Sequence, residues 1–266
     1  METIESTDGT TIAYERTGEG PPLVLVHGSA GHHVEWQEVV PALSASFTVY
    51  AMDRRGRGES GDSGEYAIER EYEDVAAVVE HVATGHPEEP VSLLGSSYGA
   101  ICSLHAILVT DAVDRLVLYE PPLGDAPEPD GAAAGLEAQI EEEGAAAAVE
   151  AFLRNALELS DEEIEAMRGD ERWESRVDAM PALPREIRAT QRDLFDPEAF
   201  DGVSVPTTLL VGGESPERLQ DATDAVADAL ADSQVVTLSG QGHLAMSEAP
   251  GLFVGAVEDA LVSGTE

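Results

Sequence analysis

Short apolar runs recur along the chain at regular intervals: Leu23–Val26, Phe47–Met52, Val91–Leu94, Leu116–Tyr119, Thr207–Val211 and Val235–Leu238. Each is too short for a stable helix and most are rich in Val or Leu, so each predicts a buried β-strand. Amphipathic stretches separate most of them. Tyr72, Val75, Val79 and Val82 share one helical face, as do Leu219, Ala222, Val226 and Leu230, and again Phe253, Val257 and Leu261. Alternating strand and helix predicts a doubly wound α/β fold, with a mainly parallel sheet of about eight strands covered on both faces. Near the N-terminus, Thr3–Ser6 and Thr11–Arg16 flank Asp8-Gly9, a hairpin signal, so the sheet is expected to begin antiparallel.

One stretch breaks the rhythm. After Glu120-Pro121-Pro122 comes a Pro/Gly/Asp-rich link (124–131), then a long segment without a strand signal, helical in character over 136–168, 172–180 and 185–195. Its place, directly after the carboxyl end of a strand, predicts an inserted helical lid over residues 124–200. The α/β core is then made of residues 1–123 and 201–266.

The run Val91–Leu94 leads straight into Gly95-Ser96-Ser97-Tyr98-Gly99 and then into a helix-competent stretch. A serine on so tight a strand-to-helix turn has its hydroxyl pushed out of the sheet, and its neighbours two residues either side must be small. The helix that follows aims its first N–H groups at the serine, which suits a developing negative charge. Ligands of parallel sheets sit at the carboxyl ends of the strands, and the other strand ends carry His27-Gly28-Ser29-Ala30-Gly31, Asp53 to Ser60, Glu120, Gly212 to Pro216, and Gly240-Gln241-Gly242-His243. Gly28 lets the backbone approach a substrate. The N–H of Ser29 and that of Tyr98 make a two-donor oxyanion hole. A serine nucleophile needs a base, and His243, on a glycine-flanked loop, is expected to reach Ser97. His27 is expected to pack under the oxyanion loop. His32 and His33 line the mouth of the pocket or form an exposed pair. His81, His86 and His105 fall on or near helices, in structural roles.

Charge changes the picture of the surroundings more than of the fold. Fifty-three acids face fourteen bases, all of them arginine, for a net charge of −39. The acids are spread through helical segments such as Glu69–Asp74, Glu137–Glu143 and Asp161–Glu165 rather than gathered in a tail. Such a chain repels itself at low salt, and molar salt screens the repulsion. The pattern is similar to that of proteins from organisms that keep molar salt in the cytoplasm. Nucleic acid and anionic membranes are poor partners for it. The polar, acidic opening METIESTDGTTIAYE is unlike a signal peptide, and no apolar run is long enough to span a membrane, so a soluble cytoplasmic protein is expected. Cys102 is the only cysteine, so there is no intrachain disulfide. No spacing suggests a metal site, and no cofactor is expected.

The segments HGSAG (27–31), DRRGRGES (53–60), GSSYG (95–99) and GQGH (240–243), in this order and at these strand ends, resemble the α/β-hydrolase superfamily over the whole chain except the lid. The resemblance implies Ser97 as nucleophile, His243 as base, Ser29 and Tyr98 as oxyanion donors, and a mainly structural turn at Asp53 and Arg55. The acid departs from the pattern. Many relatives carry it after the seventh strand in a G-x-x-D register, where this chain has Gly212-Gly213-Glu214-Ser215. Glu214 is one residue early. The alternative is Glu120, closing the sixth strand ahead of two prolines, where some relatives, haloalkane dehalogenases included, place it. Glu120 is the favoured acid, with Glu214 as the alternative. The serine excludes branches with an aspartate nucleophile. The expected activity is hydrolysis of a small carboxylic ester through an acyl-enzyme, with aminopeptidase, thioesterase, lactonase and C–C bond hydrolase chemistry open. A small-ligand receptor on the same fold is the alternative of another class.

Overall fold

The computed structural model describes residues 1–62, 65–122, 131–190 and 195–262. Eight strands form one sheet: β1 (Glu2–Glu5), β2 (Thr11–Thr17), β3 (Pro22–Val26), β4 (Thr48–Met52), β5 (Ser92–Ser96), β6 (Arg115–Tyr119), β7 (Thr207–Gly212) and β8 (Ser233–Leu238). Their order is β1-β2-β4-β3-β5-β6-β7-β8. The first two strands form the expected hairpin, and β2 pairs antiparallel with β4. All later pairings are parallel. β3, β4 and β5 are buried along their whole length, as expected of central strands covered on both faces. β8 differs from the expectation of a buried strand: it closes the sheet at an edge, and only Leu238 is buried.

Helices cover both faces. On one, α2 (Ile68–Gly85), α3 (Tyr98–Ala106) and α9 (Glu217–Ala229) enclose a core that includes Val75, Val79, Ile101, Leu104 and Val226. On the other, α1 (Val40–Leu43), α10 (Ala245–Glu248) and α11 (Pro250–Val262) pack Trp36, Leu43, Phe253 and Val257 against the sheet. Cys102 is buried in the first core.

Among the described residues between β6 and β7 stand five α-helices: α4 (Ala132–Glu143), α5 (Ala145–Ala156), α6 (Asp161–Met167), α7 (Glu171–Ala179) and α8 (Leu183–Thr190). The helical reading of 136–168 is thus divided twice. Gly144 breaks it with φ of 89°. Ser160 starts α6 with a capping box, its hydroxyl accepting from the Glu163 N–H. These helices share a third apolar cluster, in which Val149, Leu153, Trp173, Met180 and Leu183 pack with Ala30 from the loop after β3. Most of the Pro/Gly/Asp-rich link ahead of α4, and residues 191–194, lie outside the described residues. Among those described, no helix is long and apolar enough to cross a membrane.

Candidate active site

The loops at the carboxyl ends of β3, β5, β6, β7 and β8 converge. Ser97 joins β5 to α3 with φ of 53° and ψ of −122°, a conformation that non-glycine residues avoid and that the surrounding structure must hold. Its N–H donates to the Tyr119 carbonyl at 2.8 Å, extending the β5–β6 ladder through the turn. The glycines on either side are sterically required. A Cβ on Gly95 would sit 2.5 Å from the Gly99 carbonyl oxygen. A Cβ on Gly99 would sit 2.3 Å from the carbonyl oxygens of Val26 and His27.

Glu120 is the next residue beyond β6. It too is left-handed, with φ of 47°, and it is fully buried. One carboxylate oxygen, Oε1, accepts from the Gly212 N–H at 2.6 Å and from the Ser215 hydroxyl at 2.5 Å. The other, Oε2, hydrogen-bonds to Nδ1 of His243. Glu214 takes no part: its side chain is exposed, and only its backbone N–H is engaged, with the Gln241 carbonyl. The Tyr119 ring stacks on His243 with centroids 5.9 Å apart, and its hydroxyl donates to the Gly242 carbonyl at 2.5 Å. A Cβ on Gly212 would sit 2.5 Å from the Gln241 carbonyl oxygen, which fixes how closely the β7 and β8 loops approach.

Ser97 and His243 line the same two cavities, of about 60 and 130 Å³, which also share Ser29, Phe152 and Leu157. Among the described residues the Ser97 hydroxyl is not hydrogen-bonded to His243; such bonds tighten when substrate binds. Gly28 lines the smaller cavity and Tyr98 the larger. The Gly28 backbone packs on the serine, a Cβ there falling 3.1 Å from Ser97 Cβ.

His27 lies beneath this loop with both ring nitrogens engaged. Nε2 accepts from the Arg54 N–H at 3.1 Å, so Nδ1 carries the proton and donates to the Gly28 carbonyl at 2.8 Å. Burial, reinforced by the adjacent Arg54 charge, pushes its pKa down to about 3, so it is neutral.

Arg54 was hidden in the sequence among three arginines of the DRRGRGES segment. Its guanidinium lies 4.5 Å from the Tyr98 ring centroid and donates to the Gly28 carbonyl at 3.0 Å. It also pairs with Glu71 of α2 and with Glu186 of α8, and Glu186 pairs in turn with Arg57 at 2.5 Å. All four side chains are buried. Burial works against the Glu71 carboxylate, but Arg54 outweighs it and holds that group at about 2. Asp53 and Arg55 bind locally, Asp53 to the N–H groups of His33 and Glu59 and Arg55 to Asp74 and Asp8.

His32 and His33 do not line either cavity at Ser97. His33 is turned to Asp53, its Nδ1 2.8 Å from Oδ1, and this bond raises its pKa despite partial burial. The His32 ring lies tilted against that of His33, with centroids 4.8 Å apart. Ligand atoms of His32, His33 and Asp53 lie within 4.8 Å of one another, a proximity that sequence spacing did not suggest.

A family model described as "Alpha/beta hydrolase family" matches residues 23–256. The chain is a member of the alpha/beta hydrolase family. A solved alpha/beta hydrolase from Sphaerobacter thermophilus DSM 20745 superposes with a TM-score of 0.83 at 30% identity, covering 98% of this chain and 100% of that one. The esterase RhEst1 from Rhodococcus sp. ECU1013 superposes with a TM-score of 0.78 at 27% identity, covering 98% of each chain. In sequence, the hydrolase is 26% identical to the 2-hydroxy-6-oxo-6-(2'-aminophenyl)hexa-2,4-dienoic acid hydrolase of Metapseudomonas resinovorans, over 96% of this chain and 89% of that protein.

Proposed function

We propose that this hydrolase cleaves small carboxylic esters through a covalent acyl-enzyme. Ser97 Oγ attacks the carbonyl carbon while His243 takes its proton on Nε2. The oxyanion that forms accepts from the N–H groups of Ser29 and Tyr98. The bond to the alcohol oxygen then breaks, and His243 returns the proton to that oxygen. Water, giving one proton to His243, attacks the acyl carbon; the bond to Ser97 Oγ breaks, His243 returns that proton to Oγ, and the acid leaves. Glu120 keeps the Nδ1 proton in place and stabilises the imidazolium in both halves.

The observation that carries this reading is the buried Glu120 carboxylate on His243 Nδ1, which leaves Nε2 as the basic nitrogen of a ring that shares its cavities with a serine on a left-handed turn. The five helices between β6 and β7 act in this reading as a lid: Phe152 and Leu157 of that segment line both cavities. Kinship with an esterase of 27% identity supports the ester as substrate. The test is a panel of short-chain esters, thioesters, lactones and amides, at low and molar salt. Ester turnover is expected to dominate, and Ser97→Ala to lower kcat by about 10⁴–10⁶-fold. A variant that keeps a tenth of the activity would refute Ser97 as nucleophile.

A second reading rests on the Metapseudomonas resinovorans relative, whose name specifies a dienoic acid and which aligns over nearly the whole chain. It is separated from the first by following the absorbance of such a dienoic acid with the same enzyme.

A further inference from the structure

The N–H of Ser29 belongs to the same peptide group as the Gly28 carbonyl. No described peptide bond is cis, and a trans peptide points its N–H away from its C=O. Whatever holds the Gly28 oxygen therefore aims the Ser29 N–H. Two donors hold it: Nδ1 of His27 at 2.8 Å and Nη1 of Arg54 at 3.0 Å. Ser29 itself lines both cavities that hold Ser97. The buried Arg54 guanidinium is fixed in turn on its other edge. Nε and Nη2 donate to the two oxygens of Glu71 on α2, at 3.0 and 2.8 Å. Nη2 donates also to Glu186 on α8. A planar fork gripped in this way keeps one orientation, and that orientation puts Nη1 on the Gly28 oxygen. The guanidinium carbon lies 4.5 Å from the centroid of the Tyr98 ring, whose hydroxyl meets that of Tyr66 at 3.0 Å. One buried cation thus touches both residues whose N–H groups face a developing oxyanion in the mechanism above.

The bond to Gly28 does more than orient. Charge-assisted hydrogen bonds are about twice as strong as neutral ones. A hydrogen bond to a peptide oxygen also polarises the peptide and strengthens its N–H as a donor. As negative charge grows on a substrate oxygen at the Ser29 N–H, the Gly28 oxygen gains electron density and its bond to Arg54 tightens. An interaction that grows toward the transition state raises kcat and leaves KM nearly alone. We propose that Arg54 is a positioning residue for the oxyanion hole: gripped by Glu71 and Glu186, it fixes and polarises the Gly28–Ser29 peptide and seats the Tyr98 ring. The inference rests on Ser29 and Tyr98 as the oxyanion donors of the function proposed above. Glu186 makes the five-helix segment part of this clamp, since it reaches Arg54 from α8 and is held there by Arg57 at 2.5 Å.

The test compares Glu71→Gln with the double variant Arg54→Met, Glu71→Gln. The second loses the clamp and leaves the Glu186–Arg57 pair intact, so no buried charge is orphaned. Two readouts are taken: kcat and KM for an activated butyrate ester, and Ki for an alkyl trifluoromethyl ketone. Ser97 Oγ adds to the ketone carbonyl and its proton passes to His243, which leaves a stable oxyanion with no leaving group. Removing an oxyanion donor outright costs about 10²–10³ in kcat. Loosening one is expected to cost about tenfold or more, with KM changed by less than about threefold and the ketone Ki raised by the same factor as kcat falls. Binding of butyrate, the product acid, should stay within about twofold, which a general loosening of the site would not allow. Where the double variant does not fold, Arg54→Lys is read in its place. It keeps the buried charge, but a compact ammonium cannot serve two carboxylates and the Gly28 oxygen in one plane, so the same paired change in kcat and Ki is expected. Ester turnover by the unmutated enzyme with a ketone Ki unchanged in the variant would overturn the positioning role and leave the esterase reading. Capture of the ketone without turnover of any ester would refute the ester as substrate and leave the role of Arg54 to Ki. Neither turnover nor capture by the unmutated enzyme would overturn both.

Discussion

Glu120→Gln tests the acid most directly. The Glu120 carboxylate receives three donors, the Gly212 N–H, the Ser215 hydroxyl and the His243 Nδ1–H. An amide offers one acceptor oxygen and one NH₂ group. If its oxygen keeps Gly212 and Ser215, its NH₂ faces His243. The ring must then accept at Nδ1 and carry its proton on Nε2, where it can no longer receive one from Ser97. A wrong tautomer of this kind costs about 10⁴ in kcat. If the amide flips, its NH₂ meets the Gly212 N–H, and a buried donor is stranded at about 1–3 kcal/mol. Either orientation therefore shows, the first in kcat and the second also in the melting temperature. Steady-state hydrolysis of an activated ester, with thermal unfolding alongside, reads both. Glu214→Gln is expected to change kcat by less than about twofold, because that side chain is exposed and substitutions at such places are usually near neutral. A converse variant, Glu120→Ala with Ser215→Asp, puts a carboxylate at the seventh-strand register and should recover at least about tenfold in kcat over Glu120→Ala alone. If Glu120→Gln keeps more than a tenth of kcat, or Glu214→Gln loses as much, the assignment is wrong.

Other consequences follow from the same structure. Gly99→Ala drives a methyl into two backbone carbonyls and should cost about 1–3 kcal/mol or more, visible as a melting temperature lowered by several degrees; an unchanged melting temperature would contradict the close approach of β3 to the elbow. His27, depressed from 6.5 to about 3, contributes stability that is complete above pH 6.5 and is lost as pH falls toward 3, with a slope of at most about 1.4 kcal/mol per pH unit. Denaturant titrations between pH 6.5 and 4.5 should show that slope, and His27→Gln should flatten it. The net charge of −39 predicts a melting temperature that climbs from low to molar salt, and a flat profile would remove the argument for adaptation to high salt.

The strands were legible because a parallel sheet buried on both faces writes itself as short, mainly apolar runs, and β3, β4 and β5 are buried throughout. Ser97 and His243 were legible as candidates because glycines at 95, 99, 240 and 242 flank them closely. What sequence could not supply were partners brought from afar. Arg54 sits beside two other arginines, and only the fold brings it under Gly28 and Tyr98. Ser215 was visible only as a missing aspartate, although its hydroxyl holds Glu120. Tyr119 read as the end of a strand, and its ring supports His243. The His32–His33 pair stood next to the oxyanion loop in sequence, but Asp53 draws His33 away from Ser97.

The position of the acid follows from sheet geometry. β6 and β7 are parallel neighbours, Tyr119 opposite Leu210, and adjacent strands lie about 4.8 Å apart. A carboxylate at either strand end can therefore reach the same ring nitrogen if the side chain spans that gap. Glu120 manages it by turning back in a left-handed conformation, its N–H still bonded to the Leu210 carbonyl at 3.1 Å. Its second oxygen is anchored on β7 by Gly212 and by the serine at the other register. In this chain the carboxylate oxygen that meets His243 comes from β6, while β7 steadies the other oxygen. The strand bearing the acid thus says nothing about substrate. If Ser97, His243 and Glu120 act as proposed, selection falls to side chains from elsewhere: Glu35, Trp36 and Arg176 line the smaller cavity, and Phe152 and Leu157, between β6 and β7, line both.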